Sequence, residues 1–283
     1  MKDIVRRASE CTGVDLYKLL FYATDEELKS TDLAQIAITT VNIAAAATLA
    51  EHGVGCDGAA GFSVGEYAAL YVAGVVGLED VYALVKARGD AMAQASLKLH
   101  SSDGAPGMAA VIGLSYETVK EVSSQRLHDV YVANYNSPTQ IVIGSTAEGL
   151  KEAEKVLKDS GARRVIPLKV SGPFHTPLIR EARECFQKFI ADYNFADPKI
   201  PVYSNVTGAR IQSGSEAKEL CIRQITSTVR WVDDERAMLA DGFERIVETG
   251  PGAVLTGLWK AVGDGVPCFP AGTYEQIQNL ARG

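Results

Sequence analysis

Apolar positions in the first part of the chain recur three or four residues apart, and the pattern changes after residue 107. Helices are predicted over 2–10, 15–22, 34–51, 66–74 and 79–97, around one strand at 57–62. The run Ser101-Ser-Asp-Gly-Ala-Pro-Gly107 reads as a loop. Beyond it come a strand at 108–112, a helix at 116–125, strands at 129–133 and 140–143 joined by an Asn-Ser-Pro turn, a helix at 147–160 and a strand at 164–170. That β-α-β-β-α-β order is the ferredoxin-like split unit. A small subdomain of residues 108–170 is therefore expected inside a larger α/β unit made of 1–107 and 171–283. The larger unit resumes with a helix from 176, a strand at 202–204, helices at 216–226 and 232–239, a strand at 245–248, a helix at 253–262 and a strand at 267–269.

Composition narrows the class. A chain of 283 residues, 47% hydrophobic and 22% charged, can bury a large core as a soluble enzyme does. Its net charge of −7 and the lack of a basic run argue against nucleic acid or an anionic membrane as partner. The five cysteines are scattered, odd in number and free of CxxC spacing, which predicts reduced thiols in an intracellular compartment and no metal site. The longest apolar stretch, 36–50, is broken by Thr39, Thr40 and Asn42 and is too short to span a bilayer. No signal peptide is visible.

The chemistry concentrates at Gly61-Phe62-Ser63-Val64-Gly65. A predicted strand leads in and a predicted helix leads out, so Ser63 stands on a tight turn flanked by glycines. This is the pattern of a nucleophile elbow, as in α/β-hydrolase-like folds. The glycines are expected to relieve collisions and to take torsions that other residues avoid. The N–H of Val64, at the positive end of the new helix, is placed to stabilise an oxyanion. A base must accompany the serine, and there are four histidines. His52, His100 and His128 sit at a helix end or in polar loops. His175 lies in Ser171-Gly-Pro-Phe-His175-Thr-Pro, before a helix that Thr176 is expected to cap and Pro177 to start. It is either the base or a loop histidine without chemistry. Arg88 falls on the buried face of its helix, seven residues after Val81 and four before Met92. A buried guanidinium needs a partner, which is either a protein carboxylate or a carboxylate on the substrate.

Gly-Phe-Ser63-Val-Gly-Glu, Lys-Ala-Arg88-Gly-Asp-Ala-Met92, Asn134-Tyr-Asn-Ser-Pro-Thr-Gln140 and Val-Ser-Gly-Pro-Phe174-His175 occur in that order. Arg223-Gln224-Ile-Thr-Ser-Thr-Val-Arg-Trp231 and Glu248-Thr-Gly-Pro-Gly252 follow. With them the chain resembles the malonyl-CoA:acyl carrier protein transacylase family over nearly its whole length. The resemblance implies ping-pong transfer of malonyl from malonyl-CoA to the phosphopantetheine thiol of acyl carrier protein, for fatty acid or polyketide synthesis. By the same resemblance Ser63 is the nucleophile, His175 its base, and the backbone carbonyl of Gln224 orients the histidine. Arg88 pairs with the malonyl carboxylate, Gln35, Met92 and Asn134 line the acyl site, and Phe174 crowds a branched acyl group. No cofactor is implied beyond the coenzyme A thioester, itself a substrate, and a monomer is the family's usual state. A bacterial cytoplasm, a mitochondrial matrix and a plastid stroma all suit this reading.

The sequence departs from the family in three places. The opening strand and Gly-Gln-Gly loop, whose glutamine N–H is the second oxyanion donor, have no counterpart, because Met1-Lys-Asp-Ile aligns within the helix that follows. Phe62 replaces a common histidine, and Ile36 and Thr228 stand where proline is usual. Two other functions fit parts of the pattern. A serine esterase or thioesterase needs the elbow but neither Arg88 nor Phe174. A non-catalytic carrier-binding homologue accommodates a sheet one strand short.

Overall fold

A computed structural model describes residues 2–24 and 27–282, so the outer limits 1 and 283 of the larger unit lie outside the described residues. The first part of the chain folds as α1 (Lys2–Thr12), α2 (Leu16–Tyr22), a 3₁₀ turn at Glu27–Lys29, α3 (Thr31–Glu51), α4 (Gly65–Val72) and α5 (Leu78–Leu97). Asp15 caps α2 by accepting a hydrogen bond from the Lys18 N–H. The 21-residue α3 is long and apolar enough to cross a membrane by composition. In this fold it packs against α1, α4 and α5, and 56% of its most apolar window is buried. Its lack of a polar face is therefore that of a core helix.

Residues 57–62 do not form the expected strand. Ala59 alone pairs, in parallel with Val202, and its N–H meets the Pro201 carbonyl at 2.8 Å. A ladder needs a partner alongside several residues, and among the described residues this segment has one for a single position before the chain turns at Gly61.

The ferredoxin-like unit comprises β1 (Gly107–Ile112), α6 (Tyr116–Arg126), β2 (Tyr131–Ser137), β3 (Gln140–Ser145), α7 (Ala147–Asp159) and β4 (Arg164–Pro167). Its strands pair antiparallel in the order β2-β3-β1-β4. Alternation along β1 splits its residues between two cores. Ala109 and Val111 join Ile141, Ile143 and Leu157 beneath the helices, whereas Met108 and Ala110 pack with Ala133, Val142 and Phe174 on the other face. Strand β2 runs on through Asn134, which the sequence placed in a turn. Partners on both sides hold it there: Val142 of β3 pairs with Asn134 on one side, and Val229 on the other donates to the Ala133 carbonyl and accepts from the Tyr135 N–H. Strand β4 stops at Pro167, where its pairing with β1 ends.

After a 3₁₀ turn at Pro177–Ile179 come α8 (Arg180–Ile190), β5 (Tyr203–Ser204), β6 (Ala209–Arg210), α9 (Gly214–Gln224), α10 (Trp231–Ala240), β7 (Ile246–Thr249), α11 (Val254–Trp259), β8 (Cys268–Ala271) and α12 (Tyr274–Arg282). Strands β5 and β6 form an antiparallel pair, and β7 and β8 a parallel one. Helix α12 was not among the predicted elements although Tyr274, Ile277 and Leu280 fall at helical spacing, and its Ile277 packs with Ala45 and Leu49 of α3. The main core joins α3, α4, α5, α8 and α9 through residues such as Leu70, Leu84, Phe186, Cys221 and Ile225. The site lies directly on this core.

Candidate active site

Ser63 sits at φ +52°, a left-handed conformation that costs a non-glycine residue about 1–3 kcal/mol. The two glycines of the elbow differ in role. A Cβ on Gly61 would lie 2.0 Å from the Gly65 carbonyl carbon and 2.3 Å from the Glu66 nitrogen, backbone atoms with nowhere to move. A Cβ on Gly65 would meet only Asn42 Nδ2, at 3.8 Å. The strained torsion thus belongs to the serine, Gly61 is required by space, and Gly65 is not required by either. Around the turn the Ser63 N–H donates to Asn205 Oδ1, the Gly65 N–H to the Phe62 carbonyl and the Glu66 N–H to the Ser63 carbonyl. The Val64 N–H, at the N-cap of α4, keeps no acceptor among the described residues and faces the positive helix end.

His175 also has a positive φ, +59°, and is 4% exposed. Its loop is wedged between α5 and β3: a Cβ on Gly172 would strike Ser96 Oγ at 2.0 Å, and one on Gly144 would strike Thr176 Cγ2 at 2.8 Å. Thr176 does not cap the following helix as its sequence suggests; its hydroxyl turns back to the Pro173 carbonyl at 2.6 Å. The ring bridges two partners, with Nδ1 at 2.9 Å from the Gln224 carbonyl and Nε2 at 2.7 Å from Ser63 Oγ. A carbonyl only accepts, so Nδ1 carries the proton and the Nε2 lone pair faces the serine hydroxyl. Burial, together with the Arg88 charge, pushes the imidazole pKa down to about 3 against the opposing Gln224 carbonyl. The ring is a neutral acceptor aimed at Oγ.

Arg88 is 1% exposed. Its Nη1 donates to Gln35 Oε1, and its Nη2 to Gln224 Oε1 at 2.9 Å and to Ser63 Oγ at 3.2 Å. The guanidinium lies 5.6 Å from the Tyr67 ring centroid, within cation–π range. Among the described residues no carboxylate bonds to it, and Nε has no acceptor. Glu66, the acid whose charge it feels, spends Oε2 on Gln224 Nε2 at 2.8 Å and on the Asn205 N–H at 3.1 Å. Burial pushes the Glu66 carboxyl up to about 7 in spite of those bonds. Gln35 Nε2 lies 3.7 Å from Met92 Sδ, which puts both beside the guanidinium. Phe174, next to the histidine, touches the main core and the outer face of the ferredoxin-like sheet. Asn134 is buried on β2, and among the described residues no hydrogen bond joins its side chain to Ser63, His175 or Arg88.

Two participants escaped the sequence reading. Glu66 entered that reading only as the end of the elbow motif and Asn205 not at all, yet both are fully buried. Gln224 was expected to act through its carbonyl alone, but its side chain also joins Arg88, Glu66 and the Ser63 carbonyl. Beside His175 opens a cavity of about 750 Å³ between α6, β2 and the segment after α9. Lys120, Arg223 and Arg230 outnumber Asp129 on its wall.

The Ser63 hydroxyl, the neutral His175 ring and the open Val64 amide converge on a main core that carries a ferredoxin-like insertion, an arrangement fit for serine-dependent acyl transfer. The acyl transferase domain profile matches residues 2–276, and the chain belongs to that family. The malonyl CoA-acyl carrier protein transacylase of Bacillus subtilis (strain 168) is 37% identical over 92% of this chain and 82% of its own length. The crystal structure of malonyl-CoA:acyl carrier protein transacylase from Xanthomonas oryzae pv. oryzae superposes with a TM-score of 0.93 at 33% identity, covering 99% of this chain and 89% of that one. A malonyl-transacylase solved with the holo acyl-carrier protein of a type II PKS matches with a TM-score of 0.92 at 30% identity, covering 99% and 90%.

Proposed function

We propose that this chain moves a malonyl group from malonyl-CoA to the phosphopantetheine thiol of an acyl carrier protein. The observation that carries the reading is Arg88, a buried guanidinium 3.2 Å from Ser63 Oγ that bonds neutral side chains instead of an acid. A charge kept there without a carboxylate is matched by one that arrives on the substrate.

Ser63 Oγ attacks the thioester carbonyl while Nε2 of His175 takes its proton, and the Val64 N–H receives the oxyanion. Collapse expels coenzyme A, which leaves as the thiol with the proton from His175, and the malonyl ester remains on Ser63. In the second half-reaction His175 takes the proton of the carrier thiol, the sulfur attacks the ester carbonyl, and collapse breaks the ester bond as His175 returns that proton to Ser63 Oγ. Throughout, the Gln224 carbonyl holds Nδ1–H, and Gln35 steadies the guanidinium that grips the malonyl carboxylate. Met92 and Asn134 line the acyl site, and Phe174 leaves little room for a branch. Lys120 and Arg223 on the wall of the neighbouring cavity suit the phosphates of coenzyme A and of the carrier's phosphopantetheine, whereas Arg230 beside them is paired with Asp233.

The test is the intact mass of the chain after brief exposure to malonyl-CoA, beside Ser63→Ala. A malonyl-sized adduct on the wild type that is absent from the variant, and discharged by a holo acyl carrier protein, is the expected result. An adduct that persists on Ser63→Ala, or none on either, refutes the assignment.

A further inference from the structure

We propose that Asn205 is a positioning residue of the reaction, an amide clamp that holds the nucleophile elbow in the conformation aiming Ser63 at His175. The inference rests on Ser63 as nucleophile and not on the acyl group that it carries.

Asn205 lies in the turn between β5 and β6, 142 residues from Ser63, and is fully buried. Its Oδ1 accepts from the Ser63 N–H at 2.7 Å, and its Nδ2 donates to the Gly61 carbonyl and to Asp234 Oδ2, each at 2.8 Å. One side chain thus bonds the residues before and at the bend. A primary amide alone among side chains offers one accepting oxygen and two donating hydrogens from adjoining atoms. The environment dictates which way it points, since the reversed amide would oppose a donor with donors and two acceptors with an oxygen. The Asn205 backbone N–H adds a bond to Glu66 Oε2, which ties the turn to the first turn of α4.

The other side of Ser63 is held as firmly. Its carbonyl accepts from the Glu66 N–H and from Gln224 Nε2, both at 3.1 Å. With N–H and C=O both committed, the residue is over-determined at φ +52°, the condition under which a strained torsion persists. The clamp has a second consequence. Because Asn205 takes the Ser63 N–H, the elbow amide left open is that of Val64, and Oγ stands 2.7 Å from the histidine. Without the clamp the turn can relax towards an ordinary torsion, which swings Oγ off line.

A fluorophosphonate probe reads this directly. It forms an O–P bond to Ser63 with loss of fluoride, His175 takes the hydroxyl proton, and no malonyl recognition is involved. Labelling rates of the full chain are measured per folded molecule, with circular dichroism and Tm alongside. Asn205→Ala is expected to label about 10²-fold more slowly, the usual effect of a misplaced reacting atom. The KM for malonyl-CoA is expected to stay within about threefold of wild type, a split that general loosening would not give. Asn205→Asp keeps the shape and the acceptor facing Ser63 but lacks the paired donors, and should recover part of the loss. It carries the test alone if the alanine variant does not fold. Either folded variant labelling within about threefold of wild type overturns the proposal, as does a wild type that the probe does not label. A wild type that is labelled but never malonylated refutes the malonyl reading while leaving the Asn205 comparison intact.

Discussion

Replacing Arg88 with alanine should convert a malonyl-selective enzyme into an indifferent one. A guanidinium has five N–H donors, of which three are engaged here: one by Gln35, one by Gln224 and one by Ser63 Oγ. Nε–H has no acceptor among the described residues and shares one edge of the planar fork with Nη2, so a carboxylate that takes that edge bonds Nε–H and replaces one of the two Nη2 contacts, to Ser63 Oγ or Gln224. Two such bonds to a malonyl carboxylate are worth about 1.5–3 kcal/mol each, so their loss corresponds to roughly 10²–10⁴-fold in kcat/KM. Truncation also strips Gln35 and Gln224 of a donor, a defect that every substrate shares. The ratio of malonyl-CoA to acetyl-CoA cancels it, because acetyl presents no carboxylate. Single-turnover acylation followed by quench and intact mass gives that ratio for wild type, Arg88→Ala and Arg88→Lys. Lysine, a point charge without the planar fork, should fall between the other two. The reasoning is refuted if the malonyl preference of Arg88→Ala stays within about threefold of wild type.

Three further outcomes follow from the same geometry. With the His175 pKa near 3 in the free enzyme, the acid limb of serine labelling should lie well below pH 5, and a limb near the usual 6.5 would contradict a buried neutral dyad. Glu66, raised from 4.5 to about 7, binds its proton more tightly when folded, so its contribution falls as pH rises from 4.5 through 7. Glu66→Gln should therefore raise Tm by a few degrees more at pH 8 than at pH 5, and equal gains would show that the carboxyl titrates normally. His175 acts in the opposite sense, withdrawing stability as pH falls from 6.5 towards 3. Gly61→Ala, with its Cβ forced to 2.0 Å from backbone, should lower Tm markedly and abolish labelling, whereas Gly65→Ala should leave both near wild type. Equal damage from the two would overturn the distinction between them.

Most of what depends on neighbours along the chain was legible in the order of residues. The β-α-β-β-α-β order was legible because each strand and helix writes its own period, and the elbow because a serine between glycines at a strand-like to helix-like change is a local event. Arg88 was legible as a buried charge because helical spacing tells which face is inside. Spacing says nothing about what meets that face. Ser63 and His175 are 112 residues apart, Ser63 and Gln224 161, and which buried polar groups share a bond is settled only when the helices are stacked. Tertiary packing therefore decided that Arg88 is held by two glutamines, that Gln224 serves the histidine with its carbonyl and three other groups with its amide, and that Asn205 grips the elbow. Pairing with Val142 and Val229 likewise kept Asn134 in a strand, whereas among the described residues 57–62 pairs at Ala59 alone. Periodicity reports burial, one residue at a time. Hydrogen bonds between buried groups are properties of pairs, and the pairs exist only in the folded chain.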